Sequence, residues 1–290
     1  MKAIVLAFLL AVCLCSDAVT RDFIQEVQEQ VTWETTPYEE NLFRGWTDDE
    51  VKSLLGAHDL KEPSLSIFSS LSPKYEPYPE NFDPREKWEK CIHPVRNQAN
   101  CGSCWAFGAT SSFSDRFCIA GKDVILSPQD MMECDKTNNC CQGGNQDKAF
   151  EWLEKVGVVE DKCKTYNMNC GTCRSTSCEK FKCKKGSMWY GIDTENIKKA
   201  LFTEGPVEAS FRVYRDFMVY KSGVYYHKSG ELVGGHAIEL LGWGKEGALD
   251  YWLCKNSWGA VWGMKGYFKI KMGDCGIDDN MVSCLPEIKK

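Results

Sequence analysis

Cysteine is the residue that most constrains how this chain can fold. Of its 290 residues 17 are cysteine, and all except Cys13 and Cys15 lie at or beyond Cys91. The 15 that remain (17 − 2) after a leader is removed are an odd number, so at least one thiol stays unpaired. A cysteine content this high is typical of proteins that fold in an oxidising compartment. The sequence therefore predicts a disulfide-bonded fold that keeps a free thiol.

The first 18 residues have the pattern of a secretory signal peptide. Lys2 is followed by an apolar run over residues 3–15 and then by small or polar residues, a run that is too short for a membrane span. We predict cleavage near Ala18, entry into the secretory pathway and no membrane association afterwards. The formal net charge of −6 argues against a nucleic-acid-binding protein, which normally carries a basic face.

A segment without cysteine, residues 19–77, separates this leader from the rest of the chain. Within it, Thr47 and Glu50 have the spacing of a capping box, which predicts the start of a short helix. Residues 61–79 contain Pro and Ser and are expected to be extended, exposed and open to proteolysis. We therefore divide the chain into residues 1–18, 19–77 and 78–290.

Beyond residue 78 the sequence patterns change from helical to extended. Helix start signals occur at Ser103, Ser127, Asn145 and Thr194. The first of them predicts a helix from Cys104 to about Ile119. Short β-type runs separated by glycine-containing turns follow at 236–241, 251–255 and 267–272. A helical half followed by an antiparallel half predicts an α+β fold, with a cleft between two lobes as the active site.

Two side chains can form a nucleophile and its base. Cys104 lies in the first turn of the predicted helix, where the helix dipole favours thiolate over thiol. His236, in a Gly-Gly-His-Ala sequence, can pair with that thiolate as imidazolium and later protonate a leaving amine. His58 lies in the 19–77 segment, and His93 and His227 are expected to be solvated surface residues.

Two side-chain amides complete the predicted site. Asn256 can accept a hydrogen bond from the second ring nitrogen of His236 and so orient the imidazole. Gln98 precedes Cys104 by six residues (104 − 98). Its amide can donate to an oxyanion alongside the Cys104 backbone N–H, which is the role of an oxyanion hole.

The sequence Cys101-Gly102-Ser103-Cys104-Trp105 matches the signature of papain-type nucleophiles, after which His and Asn are expected about 130–150 residues further on. Here His236 follows Cys104 by 132 residues (236 − 104) and Asn256 by 152 (256 − 104). The chain therefore resembles the papain superfamily of cysteine proteases, in particular its cathepsin B branch, from about residue 32 to residue 286. The resemblance implies a papain-like two-lobe fold, with a helical N-terminal lobe and an antiparallel, β-barrel-like C-terminal lobe.

The resemblance also implies how the protein is made and what it meets. Residues 19–77 become an inhibitory pro-segment, the mature enzyme begins near Tyr78, and neither a cofactor nor a metal is needed. The expected partners are peptide or protein substrates and cystatin-type inhibitors, and the expected state is a monomer in the lysosome, the vacuole or outside the cell. The implied substrate contacts are Gly143, Gly144, Gly235, Ala237, Trp258 and Asn280. The implied disulfides are Cys101–Cys141 and Cys91–Cys118.

Two departures from cathepsin B bear on specificity. Cathepsin B carries a loop with adjacent histidines that hold a substrate's terminal carboxylate, whereas residues 163–185 here contain lysines and an arginine but no histidine. We therefore expect endopeptidase action, with removal of C-terminal dipeptides as the alternative in which those lysines hold the carboxylate. Asn280 stands where cathepsin B has a glutamate that accepts arginine.

Two other functional classes are open to this sequence. One is a zinc-binding module, with thiolates from Cys170, Cys173, Cys178 and Cys183. An oxidising compartment disfavours it, because disulfides form there instead. The other is an inactive, cathepsin-like binding protein. The presence of Gln98, Cys104, His236 and Asn256 disfavours that interpretation, since all four catalytic residue types are retained.

Overall fold

The computed structural model describes residues 17–60, 78–191 and 193–288. They form a helical lobe and a sheet lobe, which confirms the predicted α+β class. Residues 1–16 of the predicted signal peptide and residues 61–77 lie outside the described ranges. The α-helices in the described ranges are α1 (Arg21–Gln28), α2 (Asp48–Lys52), α3 (Pro84–Lys87), α4 (Cys104–Ile119), α5 (Pro128–Cys134), α6 (Gln146–Lys155) and α7 (Thr194–Glu204). None of the helices in the described ranges is long and apolar enough to cross a membrane.

Helix α4 is the centre of the helical lobe and has the predicted bounds. Most of its side chains are buried, because other elements pack around it on several sides. Phe113 and Phe117 of this helix contact Phe150 and Phe181, respectively, at ring-centroid distances of 6.4 and 5.3 Å. These aromatic contacts form the core of the helical lobe.

The helix caps were partly predicted from the sequence. Ser127 caps α5 through Asp130 N–H, and Asn145 caps α6 through two backbone N–H groups, as expected. The expectation that Ser103 caps α4 is wrong, because its side chain makes no capping hydrogen bond. Instead, Ser103 Oγ lies 3.0 Å from the hydroxyl of Tyr166, which competes for it.

The sheet lobe is built on strands that run mostly antiparallel. In the described residues, seven strands form one sheet in the order β2-β9-β3-β6-β7-β8-β5, and β1 pairs separately with β4. Strand β5 joins its neighbour β8 in parallel. The strands are β1 (Glu34–Thr35), β2 (Trp189–Gly191), β3 (Val207–Tyr214), β4 (Tyr220–Ser222), β5 (Val224–Tyr225), β6 (Leu232–Glu246), β7 (Leu249–Lys255), β8 (Tyr267–Lys271) and β9 (Met281–Ser283).

The expected barrel-like lobe is an open sheet in the described residues. The edge strands β2 and β5, of three and two residues, do not pair with each other. Strands this short offer few backbone groups for closing a ring. The long central strand β6 instead pairs with β3 on one side and with β7 on the other. Strand β6 carries His236, and Asn256 directly follows β7.

Residues 17–60 pack on the sheet lobe before they enter the cleft. Trp33 is 1% exposed, its ring lies 5.3 Å from that of Tyr225, and its Nε1–H donates to the carbonyl of Tyr226 at 3.1 Å. Ala18 is also buried, and its N–H donates to the Trp46 carbonyl at 2.7 Å. The N-terminal segment is thus anchored by apolar burial over much of its described length.

Six disulfides join cysteines in the described residues. Four of them tie down residues 163–183. The zinc alternative, which the sequence already disfavoured, does not apply, because each of its four cysteines is bonded to another sulfur and is no longer a thiolate. Cys104, Cys254 and Cys275 are the described cysteines without a bridge. The disulfides are Cys91–Cys118, Cys101–Cys141, Cys134–Cys173, Cys140–Cys170, Cys163–Cys178 and Cys183–Cys284.

The capping box at α2 gives a test of how the N-terminal segment is held. Thr47 Oγ1 accepts from Glu50 N–H at 3.3 Å and the Glu50 carboxylate accepts from Thr47 N–H at 2.8 Å, as predicted. We expect Thr47→Ala to lower the free energy of unfolding of the full chain by about 1 kcal/mol, because the Glu50 N–H loses its side-chain partner. Urea unfolding of the full chain carrying Cys104→Ala measures it. Thr47→Ser keeps the capping oxygen and is the control, and equal stability of the two variants would contradict the role.

Candidate active site

Cys104 is the first residue of α4, so its side chain lies at the positive end of the helix dipole. It is completely buried. Its Sγ accepts a hydrogen bond from Gly56 N–H at 3.3 Å, and the backbone N–H groups of Ala237 and Trp105 also bond to it and lower its pKa. Several N–H groups directed at one sulfur make this position suited to a negative charge.

His236 and Asn256 are brought together by neighbouring strands. His236 lies on β6 and Asn256 directly follows β7, and Nε2 of the ring is 2.7 Å from Asn256 Oδ1. The same Oδ1 accepts from Ser257 N–H at 2.8 Å, which fixes it as the oxygen end of the amide. The neutral ring therefore carries its hydrogen on Nε2 and its lone pair on Nδ1. Nδ1 is buried and has no hydrogen-bond partner among the described residues.

The contact between His236 and Asn256 is covered by an aromatic ring. Trp258 is 2% exposed, and its ring centroid lies 4.7 Å from that of His236. Exclusion of water strengthens a hydrogen bond, because the local dielectric falls. The structure thus places Trp258 where it shields the orienting contact.

Gln98 is fully buried, and its amide is oriented by its neighbours. Its Oε1 accepts from the Ser257 hydroxyl at 2.6 Å. Its Nε2 donates to two carbonyls, that of Leu54 at 2.9 Å and that of Cys101 at 2.7 Å. The donor end of Gln98 therefore faces a carbonyl of the N-terminal segment, close to the amide that contacts the thiol.

The N-terminal segment passes through the cleft as an extended backbone. Ala57 N–H donates to the Gly235 carbonyl at 3.0 Å, and His58 N–H donates to the Gly144 carbonyl at 2.8 Å. Gly144 N–H in turn donates to the Gly56 carbonyl at 2.8 Å. Gly143, with φ at +104°, has no Cβ to collide with the His58 ring. Three of the predicted substrate-contacting glycines therefore lie against a bound peptide backbone.

The other two predicted contact residues lie further along the cleft wall. Ala237 packs with Cys104, Ala57 and Leu60. Asn280 is nearby through the sheet, since its carbonyl accepts from the N–H of Ser210, the residue paired with Ala237. The structure thus brings Ala237 to the thiol. Asn280 lies on the other side of strand β3 from Ala237.

Burial sets the charge of the pair. Burial raises the pKa of the Cys104 thiol to about 11 and lowers the pKa of His236 to about 4. Between those values the thiol keeps its proton and the imidazole stays neutral. The thiolate–imidazolium pair expected from the sequence is thus disfavoured while the segment fills the cleft.

A disulfide supports the strip formed by Gly143 and Gly144. Cys101 is bonded to Cys141, two residues before Gly143, and the Cys141 carbonyl accepts from Gly102 N–H at 3.0 Å. The strip and the loop that precedes the nucleophile are therefore held to each other. The second expected bridge, Cys91–Cys118, also forms, and it joins the chain ahead of α4 to the last turn of that helix.

The prediction that His93 and His227 are solvated is wrong. His93 Nδ1 lies 2.5 Å from Asp115 and its Nε2 lies 2.9 Å from Asp123. Hydrogen bonding to Asp115 raises the pKa of His93. His227 stacks on Tyr214 with 3.6 Å between ring centroids. Both imidazoles are partly buried and held by other side chains, so we assign them structural roles.

Sequence reasoning assigned no role to a buried carboxyl near the thiol. Glu208 on β3 is fully buried, and neither of its oxygens has a hydrogen-bond partner in the described ranges. Burial raises the pKa of Glu208 well above its usual value. Its position opposite Gly108 of α4 has no local sequence signal, since the two residues are far apart in the chain.

Known proteins are similar to this chain in sequence and in fold. Residues 78–285 match the family described as papain family cysteine protease. Cathepsin B of Dictyostelium discoideum is 40% identical over 264 residues, covering 82% of this chain and 84% of that protein. Cathepsin B-like CP2 of Giardia intestinalis is 40% identical over 255 residues, covering 82% and 84%.

A solved precursor structure is similar over nearly the whole chain. Procathepsin B S9 from Trypanosoma congolense superposes with a TM-score of 0.84 at 27% identity, covering 94% of this chain and 100% of that one. The family match spans more than half of the sequence. This chain belongs to the papain family of cysteine proteases, and within that family it is similar to cathepsin B.

Proposed function

We propose that the protein is the precursor of a peptidase in which Cys104 attacks peptide carbonyls and His236 is its base. The observation that carries the proposal is the backbone of residues 54–58, which lies in the cleft and bonds to its walls. That backbone offers an amide to Cys104 Sγ and a carbonyl to Gln98 Nε2. A site that binds a peptide backbone across a thiol and an amide donor is suited to peptide hydrolysis.

The proposed reaction uses the residues in fixed roles. The Cys104 thiolate attacks the substrate carbonyl carbon, while Gln98 Nε2 and the Cys104 N–H stabilise the oxyanion. His236 Nδ1 carries the thiol proton and gives it to the leaving amine, which leaves an acyl-enzyme. The imidazole then takes a proton from water as the water attacks the thioester carbonyl. The acyl carbon–sulfur bond breaks, the acid product leaves, and the thiolate–imidazolium pair is regenerated. Asn256 keeps the His236 ring in the tautomer that these reaction steps require, with the hydrogen on Nε2 and the lone pair on Nδ1.

We further propose that residues 19–77 inhibit the enzyme until they are removed near Tyr78. The Leu54 carbonyl occupies the Gln98 donor, and Gly56 N–H occupies the thiol. Gly56 itself passes so close to the Gly102 carbonyl that an added Cβ would collide with it. Burial also keeps Cys104 and His236 neutral. The segment therefore blocks the cleft sterically and removes the reactive charge state.

Within this class we propose endopeptidase action. Three of the lysines in residues 163–185 are already engaged: Lys164 lies 3.0 Å from both Asp130 and Glu133, Lys180 pairs with Asp130, and Lys182 donates to a carbonyl of α6. Lysines held in this way are poorly placed to bind a substrate's terminal carboxylate. Dipeptide removal of the cathepsin B type is the alternative function.

The proposed setting is protein degradation in the lysosome, the vacuole or outside the cell. Six disulfides among the described cysteines suit an oxidising compartment. Protein or peptide substrates, cystatin-type inhibitors and a monomeric state follow from the similarity to cathepsin B and belong to the same proposal.

Replacing the nucleophile and the orienting amide separates their roles. We expect Cys104→Ala to abolish peptide hydrolysis, because no thiolate remains to attack. Asn256→Ala should lower kcat by no more than about 10²–10⁴-fold, the usual contribution of the base that it orients. Steady-state kinetics on a fluorogenic peptide after removal of the pro-segment measures both. Hydrolysis by the Cys104→Ala enzyme would refute the assignment.

The buried, neutral His236 predicts how the precursor responds to acid. Because its pKa falls from 6.5 to about 4 in the folded precursor, protonation favours the unfolded or opened state. Stability from this group is complete above pH 6.5 and is lost as the pH falls toward 4, by up to about 3 kcal/mol. Unfolding free energies of Cys104→Ala and Cys104→Ala/His236→Gln precursors, compared at pH 7 and 4.5, isolate the effect. Equal losses in both proteins would rule it out.

The products from a long peptide with free ends distinguish the two proposed activities. We expect fragments cut at internal bonds, because Lys164, Lys180 and Lys182 of the loop are held by carboxylates or a carbonyl. Mass spectrometry of the digest at mild acid, after activation, measures this. A series of products that shorten by two residues from the C-terminus would instead establish the dipeptide-removing alternative. A peptide with an amidated C-terminus is the control, since only that alternative needs the carboxylate.

A further inference from the structure

The Asn256 amide is only half accounted for by the site described above. Its Oδ1 serves His236 and Ser257. Its Nδ2, a donor, is buried and has no hydrogen-bond partner within residues 17–60, 78–191 and 193–288. A buried N–H group without a partner is costly, so such a group is normally bonded to protein or to ordered water.

A carboxyl on the neighbouring strand has the complementary deficit. Glu239 lies three residues after His236 on β6 and is paired with Lys255 on β7. Its Oε2 accepts from Lys255 Nζ at 2.9 Å and from the Ser111 hydroxyl of α4. Its Oε1 is buried and has no hydrogen-bond partner in the same ranges. Asn256 Nδ2 and Glu239 Oε1 are thus a donor and an acceptor that each lack a partner.

Asn256 and Glu239 line the same small cavity. It leaves about 10 Å³ for the centre of a water molecule, and Ser111, Lys255 and Gly108 line it as well. That volume is close to the smallest that holds one water, and a water needs two or more polar partners. The cavity is therefore polar, of the right size and flanked by two groups that need a hydrogen bond.

We propose that one buried water bridges Asn256 Nδ2 and Glu239 Oε1, which makes Glu239 a positioning residue for the Asn256–His236 pair. The inference rests on the proposed function and adds a residue to it. Burial and the nearby Asp115 carboxylate raise the pKa of Glu239. The bridge does not depend on the charge of Glu239, because water can donate to an ionised carboxylate and accept from a protonated one.

The geometry of the site explains why this bridge acts on catalysis. Asn256 can turn about its side-chain bonds, and a turn that exchanges Oδ1 for Nδ2 would present a donor to His236 Nε2. The ring would then have to move its hydrogen to Nδ1, the atom that must accept the thiol proton. A water held by Glu239 fixes Nδ2 in the cavity and so keeps Oδ1 on the imidazole.

A double-mutant cycle on the activated enzyme tests the proposal. Glu239→Met keeps the chain length and removes the polar end, and we expect kcat to fall about tenfold with KM changed less than about twofold. Glu239→Gln retains a hydrogen-bonding group and should restore kcat to within about threefold of the parent. In an Asn256→Ala background, Glu239→Met should change kcat less than about twofold. Equal losses in both backgrounds would overturn the proposal, since Glu239 would then act independently of Asn256.

Glu239 belongs to a charge cluster that continues through Lys255 and Asp115 to His93. A matched control comes from the exposed end of this cluster. Asp123→Asn alters the outer partner of His93 and leaves the cavity untouched, so kcat should be unchanged. A loss equal to that of Glu239→Met would show that the cluster matters only as a whole and would overturn the proposal. Failure of the peptidase assignment is distinguishable, because it appears as hydrolysis by the Cys104→Ala enzyme.

A direct measurement decides the matter if Glu239→Met does not fold. A high-resolution crystal structure of the Cys104→Ala precursor should show an ordered water within about 3.2 Å of both Asn256 Nδ2 and Glu239 Oε1. An empty cavity, or a water bonded to neither atom, would overturn the proposal without any reference to activity.

Discussion

The contact between α4 and the central strands of the sheet lobe is the interaction on which the site depends. Lys255 on β7 lies 3.0 Å from Asp115 of α4 and 2.9 Å from Glu239 of β6, and all three are buried. Removal of one partner from such a cluster leaves an uncompensated charge, which is strongly destabilising. The cluster therefore fixes how the helix that begins with Cys104 sits against the strand that carries His236.

The same contact explains why the N-terminal segment can control the site without altering it. The positions of Cys104, His236 and Asn256 are set by α4, β6 and the end of β7, none of which belongs to residues 17–60. The segment changes their surroundings instead. The exclusion of water makes charge separation between thiol and imidazole unfavourable. Under the proposed function, the geometry is thus already built while the chemistry is still prevented.

Local patterns in the sequence predicted several helices and supplied the candidate site residues. The capping box at Thr47 and the bounds of α4 involve positions a few residues apart, and the Cys101–Trp105 signature indicated Cys104 as the proposed nucleophile. The charge cluster was not predictable, because Lys255 and Asp115 are 140 residues apart and neither has a pattern that names the other. His93 was misjudged for the same reason, since Asp123 lies 30 residues away.

The disulfide between Cys183 and Cys284 spans 101 residues of sequence. That interval contains strands β2 to β9, helix α7 and the turns between them. A protease in solution meets other copies of itself, and exposed turns are the preferred sites of proteolytic cleavage. A single cut between these two cysteines produces fragments that remain covalently joined, so autolysis there yields a two-chain enzyme and not a dissociated one.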